Sequence, residues 1–139
     1  MSFVLDASMT MSWCFADEST PYGRRVLAEL IESYAEVPAL WSFEIANVLA
    51  TNEKRQRISE AISQEFLQTL SGLDIRIDRS SPAVDGKTLL PLVRRYGLTA
   101  YDAAYLELAK RKGLPLATFD KELIAAASLE GIALVGRQE

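Results

Sequence analysis

The sequence predicts an α/β fold, a three-layer α/β/α sandwich with a central parallel sheet of about five strands. Two observations lead to this prediction. Short apolar runs alternate with longer amphipathic segments along the 139 residues, as strands and helices alternate in α/β proteins. Helices that connect successive strands make the strands parallel and cover both faces of the sheet. The length suits one domain and no linker or repeat divides the chain, so we expect a single domain over residues 1–139.

Short apolar runs are the candidate strands. The first is followed directly by Asp6. The third alternates, with Ile75 and Ile77 on one side and Arg76 on the other, as in a half-buried strand. The predicted strands are residues 3–5, 36–40, 74–78, 114–119 and 132–135.

The segments around these runs have helical periodicity or helix-end signals. The clearest has a Thr99-x-x-Asp102 start and three basic residues before Gly113. In another, Pro91 predicts a break or kink, and Gly97 is the expected stop. The predicted helices are residues 7–15, 21–34, 42–57, 59–70, 82–96, 99–112 and 121–128.

The composition narrows the possible chemistry. There is no histidine, which excludes Ser-His-Asp and Cys-His catalysis, histidine-liganded zinc and a histidine general base. Any catalysis must therefore use carboxylates, hydroxyls, Lys or Arg side chains, or a hard metal ion. The net charge of −4 does not indicate a nucleic-acid binder by itself. If nucleic acid is the substrate, the attraction must come from local basic patches and bound cations.

The sequence also predicts a compartment. The single cysteine, Cys14, cannot form an internal disulfide and suits a reducing environment. The first residues lack the positive charge that precedes the apolar run of a signal peptide. No apolar stretch approaches the roughly 20 residues that span a bilayer. We therefore expect a cytoplasmic protein without a membrane segment.

Acidic residues fall where α/β proteins bind ligands, beyond the carboxyl ends of parallel strands. Asp6 and Asp120 follow predicted strands, and Glu44 and Asp102 lie at or near helix starts, with Asn47 on the same helix face as Glu44. Each has a structural alternative. Asp102 could complete a capping box, Asp120 could cap the next helix, and Glu44 could complement a helix dipole. Asp6 is harder to explain without a functional role.

Four segments together resemble the motifs of PIN domains of the VapC toxin type. An apolar strand ends in Asp6 and Ser8, and the second motif surrounds Glu44. The third is the most specific and contains Thr99 and Asp102, and the fourth ends at Asp120 and the residues after it. The segments are residues 4–8, 43–49, 98–109 and 116–123, and their order and spacing agree across nearly the whole chain.

This resemblance implies a Mg²⁺- or Mn²⁺-dependent endoribonuclease that acts as the toxin of a toxin–antitoxin pair. Its expected partners are RNA, a cognate antitoxin and a second copy of the chain. Mg²⁺ prefers oxygen ligands, and a bound divalent ion lowers the pKa of water and screens a phosphate. The implied catalytic and metal-binding residues are Asp6, Glu44, Asp102 and Asp120, with Ser8, Asn47 and Thr118 as polar support.

Two other interpretations remain open. Haloacid dehalogenase-like phosphatases also begin with an apolar strand and an aspartate, but they carry a second acid where Ser8 stands, and Asp120 lacks their paired aspartate. A catalytically inert PIN-like binding module has no chemical need for the four acids. Other residues receive structural interpretations: Tyr101 and Tyr105 as helix-packing side chains, and Asp78 as a solvated acid.

Overall fold

A computed structural model describes residues 1–79 and 86–136. The strands are β1 (Phe3–Leu5), β2 (Ala35–Val37), β3 (Ile75–Ile77) and β4 (Leu116–Ala117). The helices are α1 (Ala7–Met11), α2 (Pro21–Ile31), α3 (Leu40–Lys54), α4 (Glu60–Ser71), α5 (Gly86–Tyr96), α6 (Ala100–Lys112) and α7 (Lys121–Leu129). A short 3-10 helix, Ala16–Glu18, precedes α2. Within the described ranges, no helix is long and apolar enough to cross a membrane.

The strands form one parallel sheet in the order β3-β2-β1-β4, and helices flank it. The predicted α/β class is therefore confirmed, but the count of about five strands is too high. Of residues 132–135, only Leu134 pairs with the sheet, through a single parallel bridge to Leu116. The backbone turns at Val135, and Gly136 has a φ of 59°, so the pairing does not continue along these residues.

The strand order reverses beside β1. The chain builds β2 and β3 on one side of β1 and then returns to place β4 on the other side. Such a switch point leaves a crevice beyond the carboxyl ends of the two strands, where α/β proteins bind ligands. Asp6 follows β1, and Thr118 and Asp120 follow β4, so the topology delivers these residues to one crevice.

Helix α6 is the helix with the most extensive burial in the described residues. Its side chains are buried without a break from Ala103 to Ala109, because it packs against β1, β4, α5 and α7. All of β1 is buried as well, with Phe3, Val4 and Leu5 at 0% exposure. The acids carried by β1 and α6 therefore stand on the most rigid part of the core.

Helix ends agree well with the capping signals in the sequence. Ser59 and Thr99 cap α4 and α6 through their hydroxyls, and Gly113 ends α6 with a φ of 64°. Gly97 has a φ of 65° and ends α5, as predicted. Helix α5 continues through Pro91 without a break, and the proline lies on the exposed side of the helix. The predicted residues 82–85 lie outside the described residues.

Helix α3 begins earlier than predicted. Strand β2 ends at Val37, and the helix starts at Leu40 rather than at residue 42. Glu44 is therefore in the second turn, and the first turn contains no acid. The interpretation of Glu44 as a first-turn acid that complements the helix dipole is wrong.

Candidate active site

Asp6 is a buried carboxylate with three hydrogen-bond donors. It is 4% exposed and caps α1 by accepting the Met9 N–H at 2.9 Å. The Ser8 hydroxyl lies 2.9 Å and 3.0 Å from its two oxygens, and the Thr118 hydroxyl donates to Oδ2. Burial raises the pKa of Asp6 to about 6, although the three hydrogen bonds lower it. The carboxylate is thus fixed in orientation while its charge stays poorly solvated.

The two predicted supporting hydroxyls join the ends of β1 and β4. Thr118 is fully buried and accepts the Asp120 N–H at 3.0 Å, while its own proton goes to Asp6. Ser8 donates to Asp6 and accepts the Phe119 N–H at 3.2 Å. These contacts hold the segment after β4 against the Asp6 carboxylate.

Asp120 is the N-cap of α7. Its Oδ1 accepts the Leu123 N–H at 2.9 Å. The capping alternative is therefore correct for this residue. Its charge also acts on Asp102, whose pKa it helps to raise. Capping fixes the orientation of the Asp120 carboxylate and does not remove it from the acidic cluster.

Glu44 is held by a residue that was interpreted only as helix packing. The buried Tyr105 hydroxyl donates to Glu44 Oε1 at 2.5 Å and thereby connects α6 to α3. Partial burial and the charge of Asp102 raise the pKa of Glu44, and the Tyr105 hydrogen bond lowers it. The available signal was the three-residue spacing between Asp102 and Tyr105, which places both on one face of α6.

Asp102 has the central position among the acids. It lies in the first turn of α6, where its N–H donates to the Thr99 hydroxyl at 3.1 Å. Desolvation and then the charges of Asp120 and Glu122 raise its pKa, while Thr99 lowers it. Its own charge raises the pKa of both Asp6 and Glu44. Asp102 therefore interacts electrostatically with all three other acids of the cluster.

The cluster lacks a neutralising cation among the described residues. Every Lys or Arg ion pair found there involves other acids. Adjacent carboxylates without a cation repel one another, which agrees with the raised pKa values of Asp6, Glu44 and Asp102. A positive charge placed here would relieve that repulsion.

The carboxylate oxygens of the cluster are ligands of the kind that a hard divalent cation prefers. In residues 1–79 and 86–136, no group of three or more Asp, Glu, Cys or His side chains is arranged to hold a metal together. Mg²⁺ keeps several waters and needs only one or two direct carboxylates. The acids therefore fit a site in which some of them contact the ion through water.

Asn47 has no visible role at the cluster. It is exposed on α3, one turn after Glu44, and its side chain makes no hydrogen bond within the described part of the chain. Its supporting function stays a prediction.

A buried ion network anchors α6 to the end of β3. Arg111 donates to Asp78 Oδ2 and to Glu107 Oε1, both at 2.6 Å. The side chains of Asp78 and Glu107 are only 4% and 8% exposed. The interpretation of Asp78 as a solvated acid is therefore wrong. The spacing of Glu107 and Arg111 suggests an ion pair, but their link to Asp78 depends on the tertiary fold.

A groove opens beside Glu44 and Ser8 between α1 and α3. Its volume is about 590 Å³, and its walls include Met11, Val48 and Phe119. Arg55 and Arg57 also line it. The charge of Arg57 is balanced by Asp17 and Glu18. The groove is therefore largely apolar, and it reaches the acidic cluster at Glu44.

The fold and the site define a class of protein, an α/β protein with an acidic cluster at the strand switch point. The PIN domain family model matches residues 3–129, and the chain belongs to this family. Membership of the PIN family excludes the haloacid dehalogenase-like interpretation. The sequence also has Ser8 where those phosphatases carry their second acid.

Known proteins are similar over most of the chain. Ribonuclease VapC3 of Pyrobaculum aerophilum is 28% identical over 123 residues, which cover 88% of this chain and 92% of that protein. The crystal structure of PAE2754 from Pyrobaculum aerophilum matches with a TM-score of 0.69 and 22% identity, over 91% of this chain and 84% of the other. A toxin–antitoxin complex from Klebsiella pneumoniae matches with a TM-score of 0.60 and 16% identity, over 88% and 90%. These structural matches support the PIN-like fold.

Proposed function

We propose that the protein is a single-domain, Mg²⁺- or Mn²⁺-dependent endoribonuclease and the toxin of a toxin–antitoxin pair. Asp6, Glu44, Asp102 and Asp120 are its catalytic and metal-binding residues in this proposal. The observation that carries it is the convergence of four acids around Asp102 without a neutralising cation in the described residues. Such a concentration of like charge is costly for folding and is typical of functional sites.

The comparison with a named relative supports the substrate class. Ribonuclease VapC3 is a ribonuclease by name, and the similarity covers almost its whole length. No histidine or reactive cysteine is needed for phosphodiester hydrolysis by this route. A bound Mg²⁺ would supply Lewis acidity toward the phosphate and lower the pKa of a bound water.

The four acids have different proposed roles, which follow from their surroundings. Asp6 is buried and its carboxylate accepts three hydrogen bonds, so it keeps one orientation. Glu44 and Asp102 are partly exposed and remain accessible to water and to the phosphate. Asp120 is fixed by its capping bond at the edge of the cluster. Without a cation, the same negative charges would repel the RNA backbone, which makes activity depend on the metal.

The proposed partner is an antitoxin that places an Arg or Lys among the four carboxylates. This proposal is supported by the uncompensated charge of the cluster and by the similarity of the fold to a toxin–antitoxin complex. Apolar residues of the antitoxin would pack in the groove beside Glu44, against Met11 and Val48. We also propose that the free toxin forms a homodimer, which would align two sites.

The deciding experiment uses the purified protein and total RNA. The RNA is incubated with Mg²⁺, with Mn²⁺ or with excess chelator, and the new ends are sequenced. We expect discrete cleavage only with metal and none with the Asp102→Asn variant. Full activity in chelator contradicts the metal dependence. Complete absence of cleavage with retained RNA binding favours an inert binding module.

A further inference from the structure

The hydroxyl of Tyr105 is a buried polar group whose partner is a carboxylate of the candidate site. Tyr105 is 1% exposed and lies among the best-buried side chains of the core. A buried tyrosine hydroxyl needs a hydrogen-bond partner. Here the partner is Glu44 Oε1 at 2.5 Å, a partly exposed group on a different helix and 61 positions away. A hydroxyl group fixed by the packing of the core therefore donates to one carboxylate oxygen of Glu44.

This contact restricts a side chain that would otherwise be mobile. A glutamate side chain loses rotamer entropy when it is fixed in one orientation. Glu44 lies on the open side of α3 beside the groove, and Tyr105 is the one hydrogen-bond partner of its carboxylate within the described residues. The bond to Oε1 leaves Oε2 without this partner and holds the carboxylate within the electrostatic range of Asp102.

We propose that Tyr105 is a positioning residue, whose hydroxyl holds the Glu44 carboxylate in the orientation in which it would bind the divalent cation together with Asp102. The proposal rests on the proposed function of the acids. Groups that orient metal ligands typically change metal affinity by 10–100-fold when they are removed. Tyr105 does not touch substrate, so its effect should appear in cation binding and turnover rather than in RNA affinity.

The test removes a single oxygen atom. Tyr105→Phe keeps the ring and its packing, and Tyr101→Phe is the matched control because Tyr101 lies one turn earlier on α6 and is 65% exposed. Mn²⁺ affinity is measured by calorimetric titration without RNA. We expect Tyr105→Phe to bind Mn²⁺ about tenfold more weakly. Its kcat on an RNA oligonucleotide should fall while KM stays close to the wild-type value. Tyr101→Phe should match wild type in both measurements.

The outcomes separate this inference from the proposed function. Wild-type protein that neither binds Mn²⁺ nor cleaves RNA contradicts the function of the acids. Wild-type activity together with wild-type Mn²⁺ affinity in Tyr105→Phe contradicts the positioning role alone.

A second measurement needs no variant at Tyr105. In the wild-type protein, the bonded hydroxyl proton should exchange slowly and give a downfield NMR resonance. We expect this resonance to disappear in Glu44→Ala and to shift as Mg²⁺ is titrated. A resonance that is insensitive to saturating Mg²⁺ overturns the proposal, even if Tyr105→Phe does not fold.

Discussion

The Thr118 hydroxyl donates a hydrogen bond to the Asp6 carboxylate, although 112 positions separate the two residues. Thr118 also accepts the Asp120 N–H, so its single proton is directed toward Asp6. One buried side chain therefore fixes the geometry of two acids that end neighbouring strands. The contact is possible because β1 and β4 are neighbouring strands whose carboxyl ends meet at the candidate site.

Asp6→Asn should stabilise the protein at pH 7 while it abolishes activity. Because burial raises the folded-state pKa of Asp6 from 3.8 to about 6, its charge destabilises the fold. This penalty appears as pH rises from about 4 to about 6 and is complete above that range. A shift of this size corresponds to about 3 kcal/mol, and weaker hydrogen bonding of the amide should reduce the net gain to about 1–2 kcal/mol.

Urea denaturation at several pH values measures this effect. The advantage of Asp6→Asn over wild type should disappear as pH falls toward 4, and wild type should then be the more stable protein, because only the weaker hydrogen bonding of the amide remains. Asp74→Asn is the matched control, since Asp74 is exposed and its pKa is lowered by Arg76. That variant should not gain stability at pH 7. A loss of stability in Asp6→Asn at pH 7 contradicts the prediction.

Thr118→Val should move the acidic limb of the pH–activity profile to higher pH. The Thr118 hydrogen bond lowers the pKa of Asp6, and valine cannot replace it. Asp6 would then keep its proton to a higher pH, where it cannot bind a cation. The lost hydrogen bond should also cost about 1–3 kcal/mol of stability, because a buried acceptor loses its donor.

Thr118→Ser is the control for this prediction, because serine retains the hydroxyl. Its pH profile should have the same acidic limb as wild type. If Thr118→Val and Thr118→Ser have the same pH profile, Thr118 does not control the protonation of Asp6.

Arg111→Met should destabilise the protein strongly without changing the acidic cluster. The substitution removes the Arg111 guanidinium from the side chains of Asp78 and Glu107, which are 4% and 8% exposed. Removing one partner of a buried ion pair costs about 3–5 kcal/mol, and partial exposure of Arg111 favours the lower value. Thermal and urea denaturation provide the measurement.

Arg76→Met removes a comparable ion pair at the surface, where Arg76 and Asp74 are both more than half exposed. It should have a much smaller effect on stability. At a temperature where Arg111→Met remains folded, its kcat should equal that of wild type. Equal destabilisation by both substitutions contradicts the role assigned to the buried network.

Local signals account for the parts of the fold that the sequence predicted. Apolar runs located the strands, and caps such as Ser59, Thr99 and Gly113 located helix ends because these signals act over one turn. Asp6 and Asp120 were found because a strand end followed by a helix has a recognisable local pattern. Each of these depends on residues that are close in sequence.

The parts that were missed depend on contacts between distant segments. The spacing from Asp102 places Tyr105 on the same face of α6, but nothing near Tyr105 in the sequence identifies Glu44 on α3 as the partner of its hydroxyl. Asp78 is 33 positions from Arg111, so its burial and pairing could not be read from its surroundings in the chain. The last apolar run pairs with the sheet only at Leu134, and the backbone turns directly after it at Gly136.

Inhibition by the antitoxin should weaken as Mg²⁺ is raised. In the proposed complex, a cationic side chain of the antitoxin and the metal ion both neutralise the cluster around Asp102, so they compete for the same charge. The experiment titrates the antitoxin peptide into RNA-cleavage assays at several Mg²⁺ concentrations. Ionic strength is held constant, because simple screening also weakens charged contacts. The concentration of peptide that gives half inhibition should rise in proportion to Mg²⁺ once Mg²⁺ exceeds its dissociation constant.

The control for that experiment is a peptide in which the inserted Arg is changed to Ala. It should inhibit weakly, and its inhibition should not depend on Mg²⁺, because the remaining apolar contacts in the groove beside Glu44 do not involve the metal. Asp102→Asn gives a complementary measurement by calorimetry, since loss of the central charge should weaken binding of the Arg peptide more than binding of the Ala peptide. Inhibition that is independent of Mg²⁺, together with a harmless Arg-to-Ala change, contradicts insertion of a cation into the cluster and would place the antitoxin in the groove alone.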